Sequence, residues 1–256
     1  MNTLEEINSL ETQIQKLIDR KNELINSIGM EKRDLMETHS TSEVVSGFTP
    51  VDRLYVDSNT VVVYQGVPGA YSHQAMHDYF GRDIQNINVA RFEDVVQTVK
   101  DGDADYGVLP IENSSAGFVN GIYDMVGSSG LTIVGGDEVK VAHTLMGLPD
   151  AELSDIKVVY SHPQGLLQCS EFLESSGYRQ CPVANTAVGA VKVRDEGDRT
   201  QAAIASALAA DIYGLRILKD DIVNNENNTT RFIILSKRKE YVRTSKNISI
   251  CFSLPH

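Results

Sequence analysis

The chain reads Val61-Val62-Val63-Tyr64-Gln65-Gly66-Val67-Pro68-Gly69-Ala70-Tyr71-Ser72 at the point where its regular pattern begins, and a helical pattern then runs through Phe80. The uninterrupted apolar run predicts a short buried strand, and the glycines and proline after it predict a turn. A strand that passes through such a turn into a helix is the repeating unit of α/β proteins. This stretch therefore predicts an α/β fold.

The alternation of strands and helices continues to about residue 237. Phe92, Val95, Val96 and Val99 recur at helical spacing, and residues 106–111 form the next apolar run. Further strands are predicted at residues 131–134, 157–161, 202–205 and 231–235. Helices are predicted between them, one of which carries Leu166, Leu167, Cys169, Phe172 and Leu173.

The segments on either side of this region have different patterns. Residues 1–36 carry apolar side chains in two rows with seven-residue spacing, interrupted by Lys21, which predicts one long helix that pairs with a copy of itself. Residues 37–59 are rich in Ser and Thr and are interpreted as a linker. Residues 238–256 are interpreted as a linker followed by one strand, and a lone strand cannot bury a face.

The composition narrows the class of protein. The 256 residues are 41% hydrophobic and 23% charged, enough for one large or two-lobed domain. The net charge of −12 argues against a nucleic-acid partner, because phosphate binding needs a basic face. No apolar run approaches the roughly 18 residues of a membrane span, and the N-terminus has no signal-peptide core. The widely separated Cys169, Cys181 and Cys251 predict reduced thiols and a cytoplasmic location.

Several strand ends open into polar turns that start helices, at residues 66–72, 112–117, 161–164 and 185–187. Such turns place free backbone N–H groups at the carboxyl edge of a sheet, where α/β folds bind anions. Each turn alone is explained by ordinary helix capping. Their number in one chain favours an anion-binding cleft.

The usual cofactor motifs are missing from the sequence. There is no GK[ST] phosphate loop and no GxGxxG, so we expect no nucleotide. The six histidines form no metal-ligand pattern, and no GxSxG motif suggests acyl chemistry. His143 fits either a ligand contact or a buried structural histidine, and the sequence leaves both open.

The densest polar cluster, residues 224–232, runs straight into an apolar strand. A solvated loop with helix or strand caps would explain it. However, Arg231 stands at the start of the strand beside two threonines, a position that suits the binding of a carboxylate by a guanidinium fork.

Five ordered motifs between residues 60 and 236 resemble those of prephenate dehydratases. They are Gly66-x-x-Gly69-Ala70-Tyr71-Ser72, Pro110-Ile111-Glu112-Asn113-Ser114, Ser161-His162-Pro163-Gln164-x-x-x-Gln168-Cys169, Ala203-Ile204-Ala205-Ser206 with Tyr213-Gly214-Leu215, and Thr230-Arg231-Phe232 preceded by Asn228. The flanks resemble the remainder of a bifunctional chorismate mutase/prephenate dehydratase. Residues 3–32 are similar to the first mutase helix, although Leu4 stands where an arginine is expected. Residues 248–256 are similar to the first strand of a phenylalanine-sensing ACT domain.

The resemblance implies two α/β sub-lobes like those of type II periplasmic binding proteins, with substrate in the cleft. The sub-lobes would span about residues 60–138 with 216–237, and residues 139–215. The implied reaction is the decarboxylating dehydration of prephenate to phenylpyruvate, a lyase step in phenylalanine biosynthesis. Aromatisation of the ring drives this reaction, so we expect neither cofactor nor metal.

The resemblance also implies roles for individual residues. The catalytic residues would be Thr230, which assists the leaving hydroxyl, and Glu112, which competes with it as proton donor. Residues that would bind substrate or line the cleft are Arg231, Asn113, Ser161, Gln168, Tyr71, Ser72 and Thr186. Arogenate dehydratase and a non-catalytic anion-binding module are the alternatives. The expected partner is the small-molecule substrate, with a homodimer or higher homo-oligomer and neither nucleic acid nor membrane.

Overall fold

The computed structural model describes residues 47–245 and, ahead of them, only Lys16, which lies in a helix. The predicted long helix over residues 1–36 and the predicted terminal strand from residue 248 onward therefore lie outside the described residues, except for Lys16. Residues from Thr49 onward belong to one compact unit, and it contains every element below.

The first lobe is a mixed sheet with helices on both faces. Its strands are β2 (Val61–Gln65), β3 (Gln85–Val89), β4 (Tyr106–Asn113), β5 (Gly117–Phe118), β6 (Thr132–Lys140) and β12 (Thr229–Ser236). Its helices are α1 (Tyr71–Phe80), α2 (Phe92–Asp101) and α3 (Ile122–Ser129). The strand order is β3-β2-β4-β12-β6, with β5 paired to β4. Strands β2, β3 and β4 run parallel, and β12 is antiparallel to both its neighbours.

Both faces of this sheet are buried, which explains the uninterrupted apolar run of β2. Val62 and Tyr64 pack with α1 in one core cluster, whereas Val63 packs with α2 and α3 in the other. Along β12 the same alternation places Phe232 in the α1 cluster and Ile233 in the opposite one.

The second lobe has a five-stranded sheet in the order β11-β7-β10-β8-β9. Its strands are β7 (His143–Gly147), β8 (Val158–Ser161), β9 (Arg179–Pro182), β10 (Gln201–Ser206) and β11 (Arg216–Lys219). Its helices are α4 (Pro163–Gln168), α5 (Ser170–Ser176), α6 (Thr186–Glu196) and α7 (Ala207–Tyr213), with a 3-10 turn at Leu153–Asp155. The single helix expected around Cys169 is two short helices that meet at this residue, so Gln168 ends the first of them.

The chain crosses between the lobes twice, after β6 and before β12. The structure confirms two α/β lobes but corrects their boundary: β11 pairs antiparallel with β7, so residues 216–219 belong to the second lobe. The expected return to the first lobe at residue 216 is wrong, because the strand there completes the second sheet. The first lobe resumes with β12.

The expected linker over residues 37–59 also needs correction at its C-terminal end. Residues Thr49–Val51 form strand β1, which pairs in parallel with β13 (Glu240–Val242), a strand within the other expected linker. Leu54 is buried in the α1 core cluster, and the carbonyl of Tyr55 accepts a hydrogen bond from the hydroxyl of Tyr106 at 2.8 Å. Residues 49–55 are therefore packed as part of the first lobe.

Candidate active site

Thr230 and Asn113 lie opposite each other where β12 pairs with β4, next to the second crossing between the lobes. The side-chain NH₂ group of Asn113 donates to three acceptors, Oδ1 of buried Asn228 at 2.8 Å, Oγ1 of Thr230 at 2.9 Å and the carbonyl of Thr229 at 3.1 Å, so its two protons are shared among them. The orientation of the Asn113 amide is fixed, because its oxygen accepts from the backbone N–H groups of Ser115 and Ala116. The Thr230 hydroxyl thus accepts a hydrogen bond within the protein and keeps its own proton for another partner.

Arg231 and Glu112 lie on the opposite face of the sheet from Thr230. Thr230 pairs with Val139 of the α1 core cluster, and successive side chains of a strand point to opposite faces. The Arg231 guanidinium contacts Glu112 at 3.3 Å and Glu138 at 3.2 Å, and its side chain is 57% exposed. Its fork is occupied by two carboxylates of the protein. This orientation does not support the expected substrate fork at Arg231, or Glu112 as a donor beside Thr230.

Tyr71, His143 and Gln168 form a hydrogen-bonded chain that joins the lobes. The Tyr71 hydroxyl lies 3.1 Å from Nδ1 of His143, and Nε2 of His143 lies 3.0 Å from Oε1 of Gln168. Tyr71 begins α1 and packs against the core cluster on the Thr230 face of the first sheet. Burial lowers the pKa of His143 to about 4 and raises that of the Tyr71 hydroxyl, so both groups are neutral near pH 7.

Ser161 and Thr186 meet His143 around Gly165. A methyl group at Gly165 would lie 2.7 Å from Oγ of Ser161, 3.2 Å from Cγ2 of Thr186 and 3.6 Å from Nε2 of His143. Only glycine therefore lets α4 approach these three residues. The fully buried Ser161 hydroxyl donates to the carbonyl of Ile204 at 2.7 Å, which leaves its oxygen lone pairs and not its proton for a ligand.

The turn before α1 is pressed against the second lobe. The Ser206 hydroxyl donates to the carbonyl of Gly69 at 2.7 Å, and the Tyr213 hydroxyl donates to the carbonyl of Pro68 at 2.6 Å. Ala70 is the N-cap of α1 and has no side chain that can cap the helix. The first-turn N–H groups at Tyr71 and Ser72 are therefore not capped by a side chain, and they carry the positive end of the helix dipole.

Most of the residues that the sequence singled out lie in two groups. Thr230 and Asn113 contact each other, Tyr71 and Gln168 are joined through His143, and Ser161 and Thr186 border the same histidine. Sequence reasoning singled out His143 without assigning it a role, and it missed the contribution of Asn228. The signal for Asn228 was its position directly before the Thr230-Arg231-Phe232 motif.

The described residues can also be compared for metal-ligand groups, for the state of the Cys169 thiol and for membrane-spanning helices. Over residues 47–245, no group of three His, Cys, Asp or Glu side chains is arranged to hold a metal ion. Burial raises the pKa of the Cys169 thiol to about 12, so it stays protonated. Among the same residues, no helix is long and apolar enough to cross a bilayer.

The fold is that of a two-lobed α/β protein whose chain crosses between the lobes twice. The polar side chains described above lie at the junction of the lobes, which makes this junction the candidate site. The sequence profile of the prephenate dehydratase family matches residues 62–240. The chain belongs to this family.

Individual relatives agree with this assignment. The bifunctional chorismate mutase/prephenate dehydratase of Buchnera aphidicola is 37% identical over 189 residues, which cover 72% of this chain and 49% of the relative. The chloroplastic arogenate dehydratase/prephenate dehydratase 1 of Arabidopsis thaliana is 40% identical over 200 residues, covering 77% and 51% of the two chains. The crystal structure of the Arthrobacter aurescens prephenate dehydratase in complex with L-Phe matches with a TM-score of 0.65 at 28% identity, covering 69% and 60%. The chain spans about half the length of these curated relatives.

Proposed function

We propose that this protein is a prephenate dehydratase, a lyase that converts prephenate to phenylpyruvate in phenylalanine biosynthesis. The observation that carries the proposal is the hydrogen bond from Asn113 to Oγ1 of Thr230. Because Thr230 accepts this bond, its proton is available to the hydroxyl that leaves the substrate. Family membership supports the same reaction.

The reaction needs orientation and one hydrogen-bond donor. The electron pair of the ring carboxylate becomes part of the ring as CO₂ leaves, and the ring hydroxyl departs as hydroxide, which becomes water after protonation. Aromatisation supplies the driving force, so we propose that neither cofactor nor metal takes part. A threonine is too weak an acid to ionise near neutral pH, but its hydroxyl can donate to the developing hydroxide in a water-poor cleft. We propose Thr230 as the direct contact.

Binding of a dianion by a protein of net charge −12 requires local donors. The uncapped first turn of α1, around Tyr71 and Ser72, supplies backbone N–H groups on the Thr230 side of the sheet. The amide of Gln168 and the hydroxyl of Thr186 supply side-chain donors from the second lobe. These are the groups we propose for the two carboxylates, with Ser161 accepting a hydrogen bond.

The charge of the site favours prephenate over arogenate. Arogenate carries an ammonium group, for which a carboxylate is the natural partner. The side chains grouped here are hydroxyls, amides and an imidazole, and the nearby Glu112 lies on the other face of the sheet, paired with Arg231. We further propose a cytoplasmic enzyme that forms a homodimer or higher homo-oligomer through the heptad pattern of residues 1–36.

The test is turnover of prephenate and arogenate side by side. Phenylpyruvate is followed by its ultraviolet absorbance in alkali, and phenylalanine, the product from arogenate, by amino-acid analysis. We expect kcat/KM for prephenate to exceed that for arogenate at least tenfold. If arogenate is the better substrate, the protein is an arogenate dehydratase and the proposed preference for prephenate is wrong. If prephenate binds but no product forms, the protein is a non-catalytic binding module.

A further inference from the structure

His143 has an unusually complete set of contacts for a histidine between two lobes. It begins β7, is 2% exposed, and both its ring nitrogens are engaged. Tyr71 meets its ring edge-on, with centroids 5.5 Å apart. It links the start of α1 in the first lobe to Gln168 at the end of α4 in the second.

The hydrogen-bond partners determine which nitrogen carries the proton. Oε1 of Gln168 can only accept, so Nε2 of His143 must donate to it. In a neutral imidazole Nδ1 then has no proton and must accept, and its partner is the Tyr71 hydroxyl, which can donate. The chain therefore runs in one direction, from the Tyr71 hydroxyl to Nδ1, and from Nε2–H to the amide oxygen of Gln168.

This direction fixes the Gln168 amide as well. With its oxygen held by His143, the NH₂ group must occupy the other side of the amide plane. Among residues 47–245, no side chain or carbonyl accepts a hydrogen bond from this NH₂ group, and the amide bonds the protein through its oxygen. Without His143, the amide could rotate by 180° and present an acceptor to the ligand, which would repel a carboxylate.

We infer that His143 is a positioning residue: held in the Nε2–H form by Tyr71, it locks the Gln168 amide with its NH₂ group directed at an anionic substrate group. This inference rests on the proposed function for the identity of the substrate, but the proton positions do not depend on it. It also assigns the Tyr71 hydroxyl to His143 and not to the substrate. His143 remains neutral and transfers no proton in the reaction.

The first test uses ¹⁵N NMR of the histidine side chains in the full chain without substrate, with His143→Gln to assign the signal. We expect wild-type His143 to show the pure Nε2–H form at pH 7. Tyr71→Phe keeps the ring and removes the hydroxyl, so the Nδ1–H form should gain at least a third of the population. The matched control is Tyr213→Phe, which also removes a hydroxyl bond between the lobes but should leave the His143 signal unchanged. A pure Nδ1–H form in the wild type, or no change in Tyr71→Phe, would overturn the inference.

The second test separates substrate binding from chemistry. His143→Phe removes the donor to Gln168, and we expect KM for prephenate to rise tenfold or more while kcat falls less than threefold. In His143→Gln the new amide can still donate near the Nε2 position, so KM should recover to within about threefold of wild type. Should His143→Phe fail to fold, Gln168→Leu should show the same rise in KM, and adding Tyr71→Phe to it should raise KM no further. An equal loss of kcat and no rescue by His143→Gln would contradict positioning. A wild type without turnover would defeat the proposed function, while the NMR result would still decide the hydrogen-bond direction.

Discussion

At the scale of single residues, the Thr230 hydroxyl carries the proposed chemistry, and Asn113, which donates to its oxygen, leaves its proton available to a ligand. Thr230→Val keeps the shape and removes the donor. We expect kcat to fall roughly 10²-fold or more, the scale of one donated transition-state hydrogen bond, with little change in KM. Thr230→Ser should keep appreciable kcat. The control is Thr229→Val on the same strand, whose side chain has the opposite direction and which should stay within twofold of wild type.

The competing hypothesis is that Glu112, and not Thr230, donates the proton. If it were the proton donor, Glu112→Gln would abolish the alkaline limb of the kcat pH profile while Thr230→Val stayed active. Because Glu112 pairs with Arg231 on the other face, we expect Glu112→Gln to retain most of kcat.

Arg231 shows how strand geometry changes an expectation based on residue type. Its guanidinium holds Glu112 and Glu138 across three strands, and these pairs are exposed. Arg231→Lys should therefore change KM less than about threefold and the free energy of unfolding by less than about 1 kcal/mol. Glu138→Gln is the matched control for loss of the pair alone. A tenfold rise in KM in Arg231→Lys that Glu138→Gln does not share would show that Arg231 binds the substrate, as the sequence suggested.

At the scale of elements, the turn between β2 and α1 depends on Gly69. Its φ of +85° disfavours a side chain, and a Cβ would lie 2.8 Å from Cα of Ala209 in α7. Gly69→Ala thus combines backbone strain, about 1–2 kcal/mol, with a collision between the lobes. Gly130→Ala is the control, since Gly130 has a φ of +75° and nothing within 4 Å of its Cβ position. In urea unfolding, Gly69→Ala should lower the free energy of unfolding by at least 1 kcal/mol more than Gly130→Ala does. Equal losses would show that α7 moves to make room for the added methyl group at no cost.

The elements also show what the sequence could and could not predict. Buried strands such as β2, β4 and β10 were predicted because both of their faces are apolar. The fully buried β7 was missed, since its short run begins with the polar residues His143 and Thr144. The edge strands β3 and β9 were missed, since a polar run such as Gln85-Asn86-Ile87-Asn88-Val89 carries no hydrophobic pattern. Period-two alternation from Phe232 would have placed Arg231 opposite Thr230. The contacts of His143 had no local signal, because residues 71, 143 and 168 meet only through the packing of two lobes.

At the scale of the whole molecule, buried histidines make stability depend on pH. Burial lowers the pKa of His143 and of His73 to about 4, and those of His77 and His162 in the same direction. An unfolded histidine titrates near 6.5, so between these values the unfolded chain binds more protons than the folded one. The stabilisation is complete above about pH 6.5 and is lost as the pH falls toward 4.

Urea unfolding at pH 7 and pH 5 measures this loss. We expect the free energy of unfolding to fall by about 2–4 kcal/mol over these two pH units, which is at most roughly 2 kcal/mol from each of His143 and His73. His73→Gln should remove the part of this pH dependence of stability that comes from His73. His143→Gln should remove the part that comes from His143. Equal stability at both pH values would show that these histidines are charged in the folded protein.

The boundary of the folded unit can be tested by truncation, because the contacts divide at residue 49 and not at the first strand of the large sheet. Removing residues 1–46 should change the free energy of unfolding by less than about 1 kcal/mol relative to the full chain. It should change kcat for prephenate by less than about twofold. Removing residues 1–59 also deletes β1, the partner of β13, and the buried side chain of Leu54. It further leaves the buried Tyr106 hydroxyl without its acceptor at Tyr55.

We expect this longer truncation to cost 3 kcal/mol or more, since loss of a buried leucine side chain alone costs about 2–5 kcal/mol. Leu54→Ala in the full chain is the matched variant, and it should account for most but not all of the loss, the remainder belonging to the β1–β13 ladder and the Tyr106 hydroxyl. If the chain lacking residues 1–59 unfolds at the same urea concentration as the one lacking residues 1–46, residues 49–55 contribute nothing to the first lobe and are the linker that the sequence suggested.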